Sequence, residues 1–153
     1  MGWTVEAIGH VAGGRATPVD DDWGASVARI ELDPARFAPA ALSGLEAFSH
    51  AEVIFLFDRV DKDEIETGAR RPRGRADWPA VGIFAQRAKG RPNRLGSCMA
   101  RILGVEALAL TLQGLDAIDG TPVLDIKPVM RGFLPRGEVV EPAWASEIMK
   151  DYW

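Results

Sequence analysis

The sequence predicts a mainly β protein: a small antiparallel β-barrel with a short helix after the second strand and a C-terminal helical tail. Three observations lead there. Six or seven short runs are rich in β-branched and aromatic residues and are separated by Gly, Pro and Asp. Between them lie few helical patterns of the roughly ten or more residues that crossovers in a parallel sheet require. The last residues instead repeat apolar side chains at helical spacing.

The elements follow in order. Val5–Val11 is the first strand candidate and Ser26–Leu32 the second, alternating Val27, Arg29 and Glu31 with Ala28, Ile30 and Leu32. Asp33-Pro34 offers an N-cap followed by proline at the first helical position, which predicts a short helix through Leu42 closing at Gly44. Ala51–Val60 reads as a buried strand and Val81–Ala85 as another. Ser97–Leu115 predicts a hairpin, because Leu108, Leu110 and Leu112 alternate with Ala109, Thr111 and Gln113. Val123–Met130 is a last strand, with Pro128 marking an edge or bulge. After Pro142, the placing of Trp144, Ile148, Met149 and Tyr152 predicts an amphipathic helix. The length fits one domain over 1–153, with a core over about 5–130 and a tail over 131–153.

Charge is the strongest functional signal. The formal net charge is −4, yet Arg70, Arg71, Arg73, Arg75, Arg87, Lys89, Arg91 and Arg94 face only Asp77 within residues 70–94. That segment balances at +7, which leaves −11 for the rest. The pattern is one positive patch on an acidic body, suited to an anionic partner. Its bland alternative is a solvated arginine-rich loop.

Other classes are excluded or disfavoured. There is no G-x-G-x-x-G, P-loop or G-x-S-x-G motif. His10 and His50 stand far apart without cysteine partners, so no metal is expected. Cys98 is the lone cysteine; it reads as a small core residue and fits a reducing cytosol. The longest unbroken aliphatic and aromatic run, Val53–Phe57, is too short to span a bilayer, and no basic-plus-apolar leader opens the sequence. The expectation is a cytoplasmic protein without a membrane partner.

Two turns carry the chemistry. Val81–Gly96 delivers an apolar run into a loop with Arg87, Lys89, Arg91 and Arg94, and with the only asparagine, Asn93, behind Pro92. Asp116–Pro122 packs two acids, a glycine, a hydroxyl and a proline into seven residues. Gly120 can take positive φ there, and Pro122 fixes the exit into a strand. Both aspartates could equally be Asx-turn formers. His50 reads first as a hydrogen-bonded structural residue and second as a base. Asp125 and Lys127 share a strand face and can simply pair.

GLEAFSH (Gly44–His50), FAQRAKGRPNRLG (Phe84–Gly96) and GLDAIDGTPVLDIKP (Gly114–Pro128) resemble the TsaA-like family, whose best-known members are TrmO-type tRNA methyltransferases. The resemblance runs from about Ile8 to Pro128. It implies S-adenosyl-L-methionine held on a β-barrel, usually in a homodimer, and methylation of the exocyclic nitrogen of threonylcarbamoyl-adenosine in tRNA. By the same resemblance, Asp58, Arg59, Arg87, Leu95, Asp119, Gly120, Thr121 and Pro122 would border the cofactor. Arg91 and Asn93 match the family's R-P-N; with Arg94, Arg71 and Arg73 they would face the substrate. Asp58, His50 and Asp119 are the candidates for a base, should the acceptor nitrogen need to lose a proton.

Two departures stand out. The family's P-N-P-I-G is here P-N-R-L-G, with Arg94 in place of proline, and its T-R-S-P becomes Gln86-Arg87-Ala88-Lys89. The acceptor is therefore less firmly implied than the cofactor. Methylation of a small molecule, or S-adenosylmethionine binding without catalysis, are the alternatives.

Overall fold

A computed structural model describes residues 1–153. Six strands close an antiparallel barrel: β1 (Gly9–Ala12), β2 (Val27–Leu32), β3 (His50–Leu56), β6 (Leu95–Glu106), β7 (Ala109–Gln113) and β8 (Pro122–Pro128). Their order around the wall is β1-β2-β7-β6-β3-β8, and β8 returns to pair with β1. The short strands β4 (Ala69–Arg70) and β5 (Val81–Gly82) form a separate ribbon.

Alternation builds the interior. Ala28, Ile30 and Leu32 of β2, Ala51, Val53 and Phe55 of β3, and Leu110 and Leu112 of β7 are all buried, while their strand neighbours face outward. β6 lines the inside with small residues, Gly96, Cys98 and Ala100. The reason is visible at Gly96: a Cβ there would lie 2.6 Å from Cζ of Phe55 and 2.9 Å from that of Phe57. The two rings sit edge to face at 5.3 Å and fill the space a side chain would need. Small on one strand against large on the next is how a narrow barrel reaches close packing.

The register sorts the connections into two rims. At one rim lie the β1–β2 loop (13–26), the long excursion between β3 and β6 (57–94) and the β7–β8 loop (114–121). The segment 33–49, the β6–β7 turn and the exit from β8 lie at the other. From that exit, residues 130–143 run fully exposed before α1 (Ala143–Ile148). The chain then comes back to the first rim. There the N–H groups of Asp22 and Trp23 donate to the carbonyls of Asp151 (2.9 Å) and Tyr152 (2.7 Å).

The barrel, the hairpin and the terminal helix agree with the sequence reading, and four details differ. The strand expected over Ala51–Val60 ends at Leu56, after which residues 58–60 turn, Val60 donating its N–H to the Phe57 carbonyl. The helix expected after Asp33 is a turn followed by 3-10 turns at Pro39–Leu42 and Leu45–Ala47. Asp33 does start a turn, its Oδ1 accepting the Ala35 N–H at 2.9 Å. Pro39, however, holds Ala38 extended at φ −99°, ψ 159°, and a helix cannot pass through that backbone. Val81–Ala85 divides into β5 and a 3-10 turn over Ile83–Ala85. The first strand shortens to Gly9–Ala12, because residues 1–7 find no partner strand and lie exposed. No helix is long and apolar enough to cross a membrane.

Candidate functional site

The Asp119–Pro122 turn is fastened to the end of β1. Asp119 donates its N–H to the Arg15 carbonyl at 2.7 Å, and its Oδ1 accepts the Gly13 N–H at 2.8 Å. Gly120, at φ +85°, donates to the Val11 carbonyl at 2.7 Å. A non-glycine residue would be strained in that conformation. Thr121 is buried and its hydroxyl donates to the Ile118 carbonyl at 2.7 Å. Thr121 therefore shapes the turn, while the second carboxylate oxygen of Asp119 takes no protein hydrogen bond.

Arg59 reaches the same β1–β2 loop, with Nη1 3.4 Å from the Ala16 carbonyl. Its neighbour Asp58 follows β3 directly, is exposed, and has a carboxylate without a protein donor. The structure thus brings Arg59 and Asp119 to residues 13–16, with Asp58 and Gly120 next to them in the chain.

Across the same rim runs the excursion, and most of its guanidinium groups are already engaged. Arg91 donates to the Gln86 carbonyl (2.8 Å), Arg94 to the Val60 carbonyl (2.9 Å) and Arg71 to the Ala76 carbonyl (3.0 Å). Arg73 pairs with Asp21 at 2.9 Å and Arg75 with Asp77 at 2.5 Å; Arg75 also lies 4.1 Å over the Trp78 ring. The contacts of Arg91, Arg94 and Arg71 satisfy carbonyls in irregular backbone that no strand partner could reach. Arg71, Arg91 and Arg94 still carry charge, but their forks brace the loop. Arg70 and Lys89 have no hydrogen-bond partner in the protein, and Asn93 lies exposed with a free amide. The Arg87 side chain hydrogen-bonds only to Ser97, at the carbonyl (2.8 Å) and at Oγ (3.1 Å).

Arg94 explains its own departure from the family pattern. It sits at φ +52° and donates its N–H to the Arg91 carbonyl at 2.9 Å. Proline could do neither.

Behind Arg87 is a group that sequence reasoning missed. Asp116 accepts a hydrogen bond from the Tyr152 hydroxyl through Oδ2, and its Oδ1 is buried without any partner. Cys98 lies beside it and donates to the Gly114 carbonyl at 3.2 Å. Burial, then the Asp116 charge, push both the Cys98 thiol and the Tyr152 phenol well above their ordinary ranges, so both stay protonated. Asp116 and Tyr152 were each visible in the sequence, but nothing in their spacing joined residue 152 to residue 116.

His50 is not part of this rim. It begins β3 at the opposite end, exposed, with Nδ1 2.7 Å from Ser49 Oγ. Six residues of strand, about 20 Å, separate it from Leu56. Leu95 opens β6 at the rim and is 42% exposed, which leaves an apolar surface beside Arg94. Two open hollows lie at the far rim, one of about 380 Å³ by His10 and Glu31, the other of about 290 Å³ by Leu42, Phe48 and Ile126. Neither contains a residue of the two motif turns. No group of three or more His, Cys, Asp or Glu side chains is placed to hold a metal ion.

The rim thus offers two carboxylates and two incompletely engaged guanidinium groups, a donor set for a ligand bearing both signs of charge. Residues 14–133 match the family of the tRNA-methyltransferase O N-terminal domain. The chain belongs to this family. It is 41% identical over 114 residues to the Pseudomonas aeruginosa protein named "Putative S-adenosylmethionine-dependent methyltransferase RcsF", covering 74% of this chain and 47% of that one. It is 38% identical to the Escherichia coli tRNA (adenine(37)-N6)-methyltransferase, covering 69% and 45%. A crystal structure of TrmO superposes with a TM-score of 0.73 at 32% identity, over 94% of this chain and 66% of that one. The chain spans about half the length of the curated bacterial relatives it matches.

Proposed function

We propose that this chain is an S-adenosylmethionine-dependent methyltransferase acting on an adenine N6 position of tRNA, in the cytoplasm and as a homodimer. One observation carries the reading. The Asp119–Pro122 turn and the cationic excursion, far apart in sequence, share one rim of the barrel and leave carboxylate and guanidinium groups unpaired there.

The donor set fits the cofactor. Arg87, with Arg59, has free N–H groups for its carboxylate; Asp58 and Asp119 have free oxygens for its cationic centres. Leu95 supplies an apolar cover, and the Gly120 backbone is open, with nothing within 4 Å of where a Cβ would stand. The cofactor, when bound, supplies an electrophilic methyl group. The protein's part is to orient the acceptor nitrogen in line and to exclude water. If that nitrogen gives up its proton as the N–C bond forms, Asp58 is the carboxylate free to take it, since Asp119 already holds the Gly13 N–H. His50, at the far rim, is left out of this step.

The tRNA assignment draws on the relatives' names and on the net positive excursion, where only Arg73 and Arg75 are neutralised by acids. The homodimer draws on apolar surface that the barrel leaves uncovered. Met130, Phe133, Leu134, Val139 and Val140 are exposed along the segment after β8, as are Met99 and Leu103 on the outside of β6.

The test is incubation with methyl-labelled S-adenosylmethionine, total tRNA and a metabolite extract. Label in tRNA, with affinity falling steeply as salt rises, is the expected result. Label confined to small molecules, or cofactor binding without turnover, contradicts the acceptor assignment. Light scattering that returns a monomer contradicts the dimer.

A further inference from the structure

Phe84 is 78% exposed, in the middle of the most cationic segment of the chain. Its backbone is nonetheless fixed. Ile83 before it is 1% exposed and donates its N–H to the Gly68 carbonyl at 2.9 Å. Gln86 after it is 7% exposed, and its Nε2 donates to the carbonyls of Arg70 (2.8 Å) and Val81 (2.9 Å), locking the turn to the β4–β5 ribbon. The turn is rigid on both sides, and the ring between them touches no other aromatic ring or guanidinium group.

The surroundings indicate what the ring would meet. Gly82 and Ala85 beside it are exposed and small, so the chain on either side adds little apolar surface to the ring. A stable protein interface buries about 800 Å² on each partner, far more than one ring provides. A twofold contact centred on Phe84 would also lay the cationic segment against its own copy. Arg70, Arg87 and Lys89, none paired with an acid, instead suit a polyanion. A fixed aromatic face among unpaired cations is the combination that binds splayed bases of single-stranded nucleic acid.

We propose that Phe84 is a stacking platform for an unpaired base of the RNA acceptor, with Arg70 and Lys89 holding the adjoining phosphates. This rests on the tRNA reading above. Trp78, the other aromatic residue within 70–94, is 3% exposed and donates Nε1–H to Glu147 at 2.6 Å, so it is not free to stack.

The experiment measures anisotropy of a labelled anticodon stem-loop RNA, and of a blunt RNA duplex, with the full chain and with Phe84→Ala, Phe84→Tyr and Lys89→Ala. Phe84→Ala should weaken stem-loop binding about tenfold, leave duplex binding unchanged and keep the slope of affinity against salt. Phe84→Tyr should bind as the parent does, and Lys89→Ala should lower the salt slope. Because Phe84 is exposed, an unchanged melting temperature will confirm that each variant folds. A parent chain that binds the stem-loop equally well with and without Phe84 overturns this inference alone. A parent chain that binds no RNA overturns the acceptor reading together with it. A change of oligomeric state in Phe84→Ala assigns the ring to a protein contact and also overturns the proposal.

Discussion

Two long irregular segments leave the barrel, and they are built in opposite ways. The excursion over 57–94 is braced throughout: Arg71, Arg91, Arg94 and Gln86 donate into its carbonyls, and Arg73 ties it to Asp21 in the neighbouring loop. The segment over 130–143 is exposed at every residue, and its backbone bonds are local: Phe133 to Met130, Leu134 to Arg131, and Ala145 to Pro142 where the helix begins. The first is rich in charge and the second carries exposed apolar residues, the reverse of what a solubility argument would assign to a fixed and an unpacked segment. The contrast teaches that arginine content alone does not measure recognition. Several of these guanidinium groups act as backbone braces, and the few left over define the site.

The comparison can be broken first where the excursion enters the barrel. Gly96→Ala would force a Cβ to within 2.6 Å of Phe55 Cζ, so the wall must shift. The expected cost is about 1–3 kcal/mol, read as a lowered midpoint in a denaturant titration. No change there would mean that the barrel mouth is loosely packed.

Next, Arg91→Ala removes the brace to Gln86 and Ala88. Amides of the excursion should then exchange with solvent faster, by about 1–2 kcal/mol of local opening, while the barrel strands keep their protection. Amides of 130–143 should exchange fast in both proteins.

Alkaline pH sharpens the view of the tail. The pKa values of Cys98 and Tyr152 are raised in the folded state, chiefly by burial, so the unfolded chain loses these protons first. Their contribution is complete below the unfolded thiol pKa, about 8.5, and declines as pH rises above it. Stability measured at successive pH values should therefore fall above that point. The fall should be shallower in Cys98→Ala combined with Tyr152→Phe; an identical pH profile would contradict the buried Asp116 cluster.

The smallest effect belongs to the exposed segment. Val140→Ser should move the stability of the dilute, dissociated chain by no more than about 0.5 kcal/mol. It should still weaken self-association in sedimentation, if this surface covers a second copy.

The strands were legible because inward positions alternate with a period of two, and Ile30, Val53 and Leu112 announce their faces. The Asp119–Pro122 turn was legible because Gly120 and Pro122 each carry a backbone requirement. The roles of the arginines were not. A guanidinium group donating to a main-chain carbonyl leaves no complementary side chain in the sequence, so Arg71, Arg91 and Arg94 looked as available as Arg87. His50 could not be placed, since a residue opening a strand gives no sign of which rim it occupies. Asp116 and Tyr152 met only once the tail returned to the barrel, a contact across 36 residues that no local pattern encodes.

Calorimetric titration of S-adenosylmethionine into the full chain, Arg87→Ala and His50→Ala tests the assignment of one rim to the cofactor most directly. Binding should persist in His50→Ala, at the far rim, and should weaken about tenfold or more in Arg87→Ala, where a charge-assisted contact is lost. Equal affinity in the parent and Arg87→Ala, or loss of binding in His50→Ala alone, would contradict it.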